Sequence, residues 1–344
     1  MVLASPASTA QYFVTEVPAG EGCCSGASGI SASGVVVGHA NNVAVLMDST
    51  GVHDLGVGGI SSSALAISDT GGIIGVSSAR IGGFLIQEGA QVDLSIHGYS
   101  RINVLALNDS GTVVGSTPSG LFFQHAFSLE SGVLTDLGTL GGDFSRATGI
   151  NNLGHIVGQA SDSGGVSRAF FYDENGMHDL GGLRDGYAIA QAINDVGQVV
   201  GQAASAEDAS RLVPVLFQGG VVLEIPAIAG APGSYAPRAI NNRGVVVGEA
   251  STAALGQRAW IHSGGVTLDL NSLLPESSGW YLSTAQDIND AGQIVGTGFL
   301  NGRSRGFVLT PVPEPPAGTT AVVSMLGLWS LLRWRGRTRE TRLG

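Results

Sequence analysis

The stretch INDVGQVVG, residues 193–201, decides the fold, because its pattern recurs six more times along the chain. An aliphatic residue is followed by glycine four positions later and by a second glycine eight positions later. The aliphatic residues that open the seven copies are Ile30, Ile67, Leu107, Ile150, Ile193, Ile240 and Ile288. Invariant spacing inside copies that lie 37 to 48 residues apart indicates one repeated supersecondary unit.

Each copy carries the signature of a β-hairpin. After the aliphatic residue comes a turn of the type Asn-Asp-x-Gly, as at residues 194–197 and 289–292. Asn and Asp bond the turn backbone with their side chains, and glycine supplies the positive φ, so the turn predicts a hairpin with a glycine bulge. The β-branched pair before the second glycine, such as Val199-Val200, favours a strand.

A second hairpin follows the first in most copies. Its first strand carries an aromatic residue, as in Ala169-Phe170, and its last strand ends in Asp-Leu, as in Asp179-Leu180. Four short strands in about 43 residues match one blade of a β-propeller. The sequence therefore predicts an all-β, seven-bladed propeller over residues 11–310.

The two ends of this region complement each other. The seventh copy ends near Leu309 without a last strand, whereas Thr15-Glu16-Val17-Pro18 resembles residues 223–226, the last strand of the fifth copy. Val17 precedes Ile30 by 13 residues, the offset that separates Leu94 from Leu107. We therefore expect residues 14–17 to pair with residues 307–309 and to close the ring. The alternative, an open β-solenoid or stacked sandwich, does not require this offset.

Composition and charge narrow the function classes. The chain has 344 residues, of which 54 are glycine and 12% are charged, which is unlike a disordered chain. All 16 basic residues are arginine, and the formal net charge is −11. An acidic body argues against a nucleic-acid partner, because phosphate binding needs basic surface. Cys23 and Cys24 are neighbours in sequence, so no disulfide framework is expected.

The repeats resemble those of the HAF-repeat family of bacterial extracellular proteins. His125-Ala126-Phe127 is the motif that gives the family its name, and residues 135–142, TDLGTLGG, are similar to its core repeat. Other copies replace the histidine, as in Arg168-Ala169-Phe170 and Arg258-Ala259-Trp260. The resemblance covers about residues 11–310 and implies an extracellular location without an established activity.

The C-terminal tail, residues 311–344, resembles a PEP-CTERM sorting domain. The motif is followed by an apolar run over residues 321–332 and then by an arginine cluster. The motif residues are Val312, Pro313, Glu314 and Pro315, and the cluster is Arg333, Arg335, Arg337, Arg339 and Arg342. The resemblance implies an exosortase-type enzyme as partner and a single hydrophobic transmembrane helix whose arginines stay in the cytoplasm. The alternatives are an ordinary single-span anchor with a proline linker and a buried core helix.

Residues 1–10 are interpreted as the remnant of a secretion signal or as a disordered segment. They lack a basic stretch and a long apolar core, but they hold small residues of the kind found before a signal-peptidase cut. Export is nevertheless expected from the two family resemblances.

The sequence shows no catalytic, cofactor-binding or metal-binding constellation. His53, His125 and His178 occupy repeat positions, and the repeated Asp-Leu aspartates are interpreted as caps of a strand or turn rather than as a carboxylate ring. The Asn-Asp-x-Gly turns lack the dense oxygen ligands of a Ca²⁺ loop. We therefore predict no enzymatic activity, no cofactor and no metal.

The expected function is that of a non-catalytic binding or structural protein of the cell surface or extracellular matrix. The alternatives are a secreted propeller enzyme acting on polysaccharide and a protein-docking scaffold of the envelope. An enzyme should show non-repeating His, Asp or Glu on one blade face, yet the longest departures from the repeat, residues 227–238 and 271–286, hold only Glu276. Trp280 and Tyr281 are candidate platforms for a glycan, so extracellular polysaccharide is the candidate partner.

Overall fold

The computed structural model describes residues 12–19, 24–80, 83–94, 102–119, 123–184 and 186–313. These residues form a β-propeller of 28 strands in seven groups of four, which we call blades 1 to 7. The innermost strands of blades 1 to 7 are β2 (Ser25–Ile30), β6 (Ser62–Ile67), β10 (Asn103–Leu107), β14 (Gly141–Ile150), β18 (Ala188–Ile193), β22 (Gly233–Ile240) and β26 (Trp280–Ile288).

Three further strands complete each blade. The second strands are β3 (Val36–Ala40), β7 (Ile73–Ser77), β11 (Val113–Ser119), β15 (Ile156–Asp162), β19 (Val199–Ala204), β23 (Val246–Thr252) and β27 (Ile294–Leu300). The third strands are β4 (Val43–Asp48), β8 (Phe84–Gln87), β12 (Phe123–Glu130), β16 (Ser167–Asp173), β20 (Leu212–Gln218), β24 (Gly256–Ser263) and β28 (Arg303–Pro311). The outermost strands are β5 (Gly51–Asp54), β9 (Ala90–Asp93), β13 (Val133–Asp136), β17 (Gly176–Asp179), β21 (Val221–Glu224), β25 (Val266–Asp269) and, in blade 7, β1 (Tyr12–Val17).

Each blade is an antiparallel sheet, as the paired hairpins predicted. Blade 1, for example, has the order β2-β3-β4-β5. Blades 3 and 4 also touch through a single parallel pairing of Gln124 with Phe144, which links their sheets. Short 3-10 helices at Leu270–Leu273 and Glu276–Ser278 connect blade 6 to blade 7.

The first strand of the chain completes the last blade, and the predicted pairing is confirmed. β1 runs antiparallel to β28, with Val14 opposite Leu309 and Val17 opposite Gly306. Ser25 of blade 1 joins the same junction, because its Oγ donates to the carbonyl oxygen of Val17 at 2.6 Å and accepts the Gly306 N–H at 3.1 Å. Blades 1 and 7 are therefore joined by hydrogen bonds that involve both ends of the described chain.

The two glycines of the repeat have different structural reasons. The first has a φ between +74° and +87° in all seven copies, where the turn needs a left-handed residue and forms the predicted bulge. In blade 5, Gly197 N–H bonds to the Asn194 carbonyl and Asn194 N–H to the Gln198 carbonyl. The second glycine lies against a bulge of the innermost strand, so that a Cβ at Gly201 would overlap the carbonyl oxygen of Ile189. The positive φ of the first glycine and the missing side chain of the second are therefore both needed for the first hairpin to form.

The hydrophobic core lies between neighbouring blades. The aromatic residue of the third strand is fully buried at Phe84, Phe127, Phe170, Trp260 and Phe307. These large side chains fill the wedge between two sheets, where burial of an aromatic ring contributes about 2 to 3 kcal/mol. The aromatic residue that recurs in the sequence is therefore a core residue.

The tail leaves the propeller after Pro311, the last residue of β28. Within the ranges that the structure describes, no helix is long and apolar enough to cross a membrane. The hydrophobic helix expected in residues 311–344, the arginine cluster and the interpreted segment 1–10 lie outside the described residues, as do Glu314 and Pro315.

Candidate functional site

The seven turns of the repeat meet around the propeller axis and are linked to one another. The first turn position holds Ser31, Ser68, Asn108, Asn151, Asn194, Asn241 and Asn289, all buried. Each of the five asparagines donates its Nδ2 to the backbone carbonyl of the equivalent residue in the next blade, at 2.9 to 3.2 Å. Their Oδ1 atoms accept N–H groups of their own turns, as from Gln198 at 2.8 Å. One amide thus shapes a turn and joins two blades.

A second ring of hydrogen bonds lies at the next turn position. These residues are Ala32, Asp69, Asp109, Asn152, Asp195, Asn242 and Asp290. At six junctions the backbone N–H of one blade donates to the side-chain oxygen of the next blade, at 2.6 to 3.0 Å. Ala32 has no such oxygen, so the relay has no link from Asp290 to Ala32. The aspartates and asparagines at this position therefore accept backbone hydrogen bonds between blades.

The aliphatic residues of the repeat narrow the central channel and divide it. On one side, the turns line a recess of about 190 Å³, which we call the turn-side mouth. On the other side lies a larger space of about 680 Å³, which we call the channel cavity. Ile150, Ile193 and Ile240 line both spaces, so they form part of the partition between them.

The channel cavity is lined by side chains that do not follow the repeat. Its polar lining residues are Ser28, Arg146, Thr148, Gln159, Tyr187, Gln191, Arg238, Gln286 and Asp287. Its volume lies within the 300–1,000 Å³ typical of ligand sites, and its mixture of amide, hydroxyl and charged groups suits a polar ligand. In contrast, the turn-side mouth carries repeated residues that are already bonded to neighbouring blades. The channel cavity is therefore the candidate site.

Arg238 is neutralised within the wall of the cavity. Its Nη2 bonds to Oε1 of Glu249, whose Oε2 accepts from Thr284 Oγ1 at 3.0 Å and from Gln257 Nε2 at 3.3 Å. Burial alone would raise the pKa of Glu249, but these hydrogen bonds and the positive charge of Arg238 lower it. Glu249 is thus a carboxylate that holds Arg238 in place.

Arg146 has no such counter-charge. Its Nε is fully enclosed and without a hydrogen-bond partner, and no described residue forms an ion pair or a hydrogen bond with its guanidinium. Other half-buried arginines are paired, as Arg168 Nε is with Asp162 at 2.8 Å and Arg258 with Asp269 at 3.3 Å. Arg146 therefore brings to the channel cavity a positive charge that forms no ion pair with a described residue.

Asp287 is an acidic residue that occurs in only one of the seven copies of the repeat. It stands immediately before Ile288, a position that the other six blades fill with glycine or alanine. Its Oδ2 accepts the Ile30 N–H of blade 1 at 2.9 Å, and its Oδ1 accepts the Ile288 N–H at 2.8 Å. Protein surrounds the carboxyl although it lines the cavity, and this burial, with a smaller contribution from Asp69, raises its pKa to about 6.

Sequence reasoning missed Arg146, Arg238 and Asp287. Arg146 and Asp287 lie outside the two longest departures from the repeat, and Arg238, at the end of the first, is not one of the His, Asp or Glu residues expected of an enzyme. Aligning the seven innermost strands reveals the signal: Arg146 stands where other blades have Gly26, Ser63 or Ile189.

The repeated aspartates and histidines lie outside the channel cavity and act within their own blades. Asp136 accepts the Gly138 N–H at 2.8 Å and pairs with His125 Nδ1 at 2.9 Å, so the aspartate caps the strand end as predicted. His53 and His178 pair instead with the hairpin-turn carboxylates of Asp48 and Asp173, at 3.1 and 3.0 Å. In the described residues no group of three or more His, Cys, Asp or Glu side chains is placed to hold a metal ion.

Trp280 and Tyr281 are placed differently from a free aromatic platform. Trp280 is half-buried with its ring centroid 6.3 Å from that of Phe307. The Arg258 guanidinium lies 4.3 Å from the centre of the Tyr281 ring, and the Tyr281 hydroxyl donates to the Gln257 carbonyl at 2.5 Å. The aromatic residue that lines the channel cavity is Tyr187, which is 38% exposed.

Comparison with known proteins agrees with the fold. No family model matches the sequence, and no curated protein matches it. The extracellular domain of the BT4673 one component system from B. thetaiotaomicron is similar with a TM-score of 0.54 and 11% identity over 89% of this chain. The alignment covers 40% of that chain.

Two further structures show weaker likeness. YCF48 bound to D1 peptide has a TM-score of 0.49 and 12% identity over 90% of this chain and 97% of that one. TolB from Acinetobacter baumannii has a TM-score of 0.44 and 12% identity over 81% of this chain and 63% of that one. At these identities, the likeness to the BT4673 domain shows a fold and carries no activity to this chain.

Proposed function

We propose that this chain is an exported, non-catalytic protein of the cell surface or extracellular matrix that binds extracellular polysaccharide in its channel cavity. The observation that carries the proposal is the convergence of non-repeating polar side chains on a space of about 680 Å³. Repeated residues are used by the turns and strands, whereas Arg146, Gln159 and Gln191 have no comparable role in the repeat. Amide and hydroxyl groups around an open cavity suit the hydroxyls of a sugar.

Binding is favoured over hydrolysis by the number of acids available. Glycosidases of the usual kind need two carboxyl groups that flank the scissile bond. Among the described residues that line the channel cavity, Asp287 is the single carboxylic acid, and it accepts two backbone N–H groups. Glu249 is engaged by Arg238 in the wall. The alternative of a secreted enzyme therefore has one candidate acid and no partner for it.

The proposal includes the finer architecture expected from the sequence. The seven blades form a closed ring, and the residues after Pro311 are a removable anchor rather than part of the fold. An exosortase-type enzyme would recognise Val312-Pro313-Glu314-Pro315, while the apolar run holds the chain in the membrane. Support comes from blade 7, in which β1 pairs with β28 up to Pro311, so that the blade has its four strands without any later residue.

Polysaccharide binding is tested by filling the cavity. The full-length chain is mixed with extracellular polysaccharide, and the bound fraction is measured by co-sedimentation. We expect Gln191→Trp, which fills the cavity, to abolish retention, and Val133→Trp, at a position 66% exposed in an outer hairpin, to leave it unchanged. If native protein is not retained, or if both variants are retained equally, the proposed binding site is wrong.

The anchor is tested separately in a host that contains the sorting enzyme. Glu314→Ala should leave an uncleaved, membrane-bound form, and deletion of residues 313–344 should yield a folded domain that escapes from the cell surface. Cell fractionation and thermal unfolding give the two readouts. Loss of folding on deletion would contradict the assignment of the tail as a separate anchor.

A further inference from the structure

Arg146 is the arginine of the channel cavity that has no ion-pair partner among the described residues. Arg146 lies in β14 opposite Gln159 of β15, and both side chains line the cavity. The second arginine, Arg238, is bonded to Glu249, and Asp287 is held by backbone N–H groups of blades 7 and 1. Of the described charged residues that line the cavity, Arg146 is therefore the one whose hydrogen-bond donors and charge are available to a ligand.

A guanidinium whose Nε is enclosed without a hydrogen-bond partner is costly for the folded protein. Its Nε lies out of reach of solvent and makes no hydrogen bond, so the desolvation of the charged group is not offset by a partner. An anion in the cavity would supply the missing acceptor. The planar guanidinium fork matches the two oxygens of a carboxylate and binds them through parallel hydrogen bonds.

The neighbours of Arg146 suit the remainder of an acidic sugar. Gln159 and Gln191 present amides, and Thr148 presents a hydroxyl, so all three can bond to ring hydroxyls. Tyr187 adds a partly exposed aromatic ring on the cavity wall, a surface on which an apolar face of a sugar can pack.

The aliphatic partition decides which part of a polymer can enter. Ile150, Ile193 and Ile240 form part of the floor of the cavity, and the turns beyond them are tied blade to blade. A polysaccharide can therefore enter with an end or a side branch, but it cannot thread through the channel. The net charge of −11 also disfavours a polyanion lying along the outer surface.

We propose that the channel cavity binds a terminal uronic-acid residue of an acidic polysaccharide, with the carboxylate held by the guanidinium of Arg146. The proposal rests on the proposed function and names its ligand class. Gln159, Gln191 and Thr148 bind the hydroxyls of the same sugar.

The experiment is a calorimetric titration of the full-length chain with D-glucuronate, D-glucose, acetate and inorganic phosphate, each in turn. The variants are Arg146→Gln, Arg146→Lys and, as a matched control, Arg303→Gln in an exposed strand end. We expect native protein and the control to bind glucuronate at least about tenfold more tightly than the other three compounds, and Arg146→Gln to bind it at least about tenfold more weakly. Arg146→Lys should fall between them, because it keeps the charge without the fork.

Thermal unfolding shows whether a loss of binding by Arg146→Gln is caused by a loss of the fold. Arg146→Gln removes a half-buried guanidinium whose enclosed Nε has no hydrogen-bond partner, so its melting temperature should equal or exceed that of native protein. Equal binding of glucose, equal binding of acetate or phosphate, or undiminished binding by Arg146→Gln would each overturn the inference. Retention of polysaccharide by native protein and Arg146→Gln alike would overturn the uronic-acid assignment while leaving the proposed function standing. Absence of polysaccharide retention by native protein would instead count against the proposed function.

Discussion

Arg305 Nε lies 2.7 Å from Glu16 Oε1, and this pair joins the last strand of the propeller to the first strand of the chain. The Arg305 side chain is 7% exposed. The same relation occurs inside single blades, between Arg258 and Asp269 and between His125 and Asp136. Glu16 therefore occupies the position of the repeated aspartate, and the junction of the chain ends repeats the pairing found elsewhere in the ring.

Removing the carboxylate at the junction should weaken the fold. We expect Glu16→Ala to lower the free energy of unfolding by about 1 to 3 kcal/mol, because the buried Arg305 guanidinium loses an acceptor. Phe13→Ser changes a side chain in the same strand that is 62% exposed, and it should alter stability by less than about 0.5 kcal/mol. Denaturant unfolding checks both; a larger loss for Phe13→Ser would contradict the assigned strand faces.

The hydrogen bonds made by the turn asparagines can be removed one at a time by substitution. Asn194→Ala removes the bond to the Asn241 carbonyl and the cap of its own turn, whereas Asn194→Ser removes only the first, since Ser31 and Ser68 cap their own turns in this way. We expect the alanine variant to lose about 2 to 3 kcal/mol and the serine variant about 1 kcal/mol.

Adding a hydrogen bond where the ring lacks one tests the same interaction by a gain of stability. Ser31→Asn would supply an Nδ2 that can donate to the carbonyl of Ser68, as the five asparagines do at their junctions. We expect a gain of about 0.5 to 1.5 kcal/mol in thermal or denaturant unfolding. A loss of stability would mean that the junction of blades 1 and 2 differs in geometry from the others.

The two repeat glycines should respond differently to substitution. At Gly197 a Cβ would meet open space but φ is +81°, so Gly197→Val carries backbone strain alone and should cost about 1 to 3 kcal/mol. At Gly201 even alanine would overlap the Ile189 carbonyl oxygen, so Gly201→Ala should cost more than Gly197→Ala. Chemical denaturation of the three variants decides; equal costs of the two alanine variants would contradict the tight bulge crossing.

Stability should depend on pH through Asp287. Its pKa is raised from 3.8 to about 6 in the folded state, so between these values the folded chain keeps a proton that the unfolded chain has lost. The contribution of Asp287 to the free energy of unfolding is therefore fully present below about pH 4 and declines, by on the order of 3 kcal/mol, as the pH rises through 6.

Asp287→Asn should remove this decline and still accept the Ile30 N–H through its amide oxygen. At pH 8 we expect the variant to be more stable than native protein, and Gln286→Ala, which keeps the acid, to follow the native profile. Thermal unfolding from pH 4 to pH 8 provides the measurement. Parallel native and Asp287→Asn profiles would show that this carboxyl does not titrate in the window.

Much of the fold is predictable because the repeat expresses backbone requirements. Gly197 and Gly201 mark a left-handed turn and a close crossing, Asn194 marks the turn cap, and the offset from Val17 to Ile30 marks the missing strand. The two glycines appear in all seven copies and the asparagine in five, so exceptions such as Ser31 and Ser68 do not obscure the pattern.

The candidate site is less predictable because it consists of departures from the repeat. Arg146 and Asp287 are ordinary residues in their own strands, and only the arrangement of the blades brings their innermost strands to a common cavity. Trp280 shows the opposite case, since an aromatic residue in an insertion packs against Phe307 in the core. Which side chains converge depends on packing between distant copies, and local pattern does not report it.

The position of Pro311 fixes how the molecule would be presented to its surroundings. Pro311 pairs with Tyr12 and lies beside the turn at Gly292, on the turn-side face of blade 7. The channel cavity opens on the opposite face, where the innermost strands begin. A tether continuing from Pro311 would therefore start on the face opposite the cavity and leave the mouth of the cavity unobstructed at its point of departure.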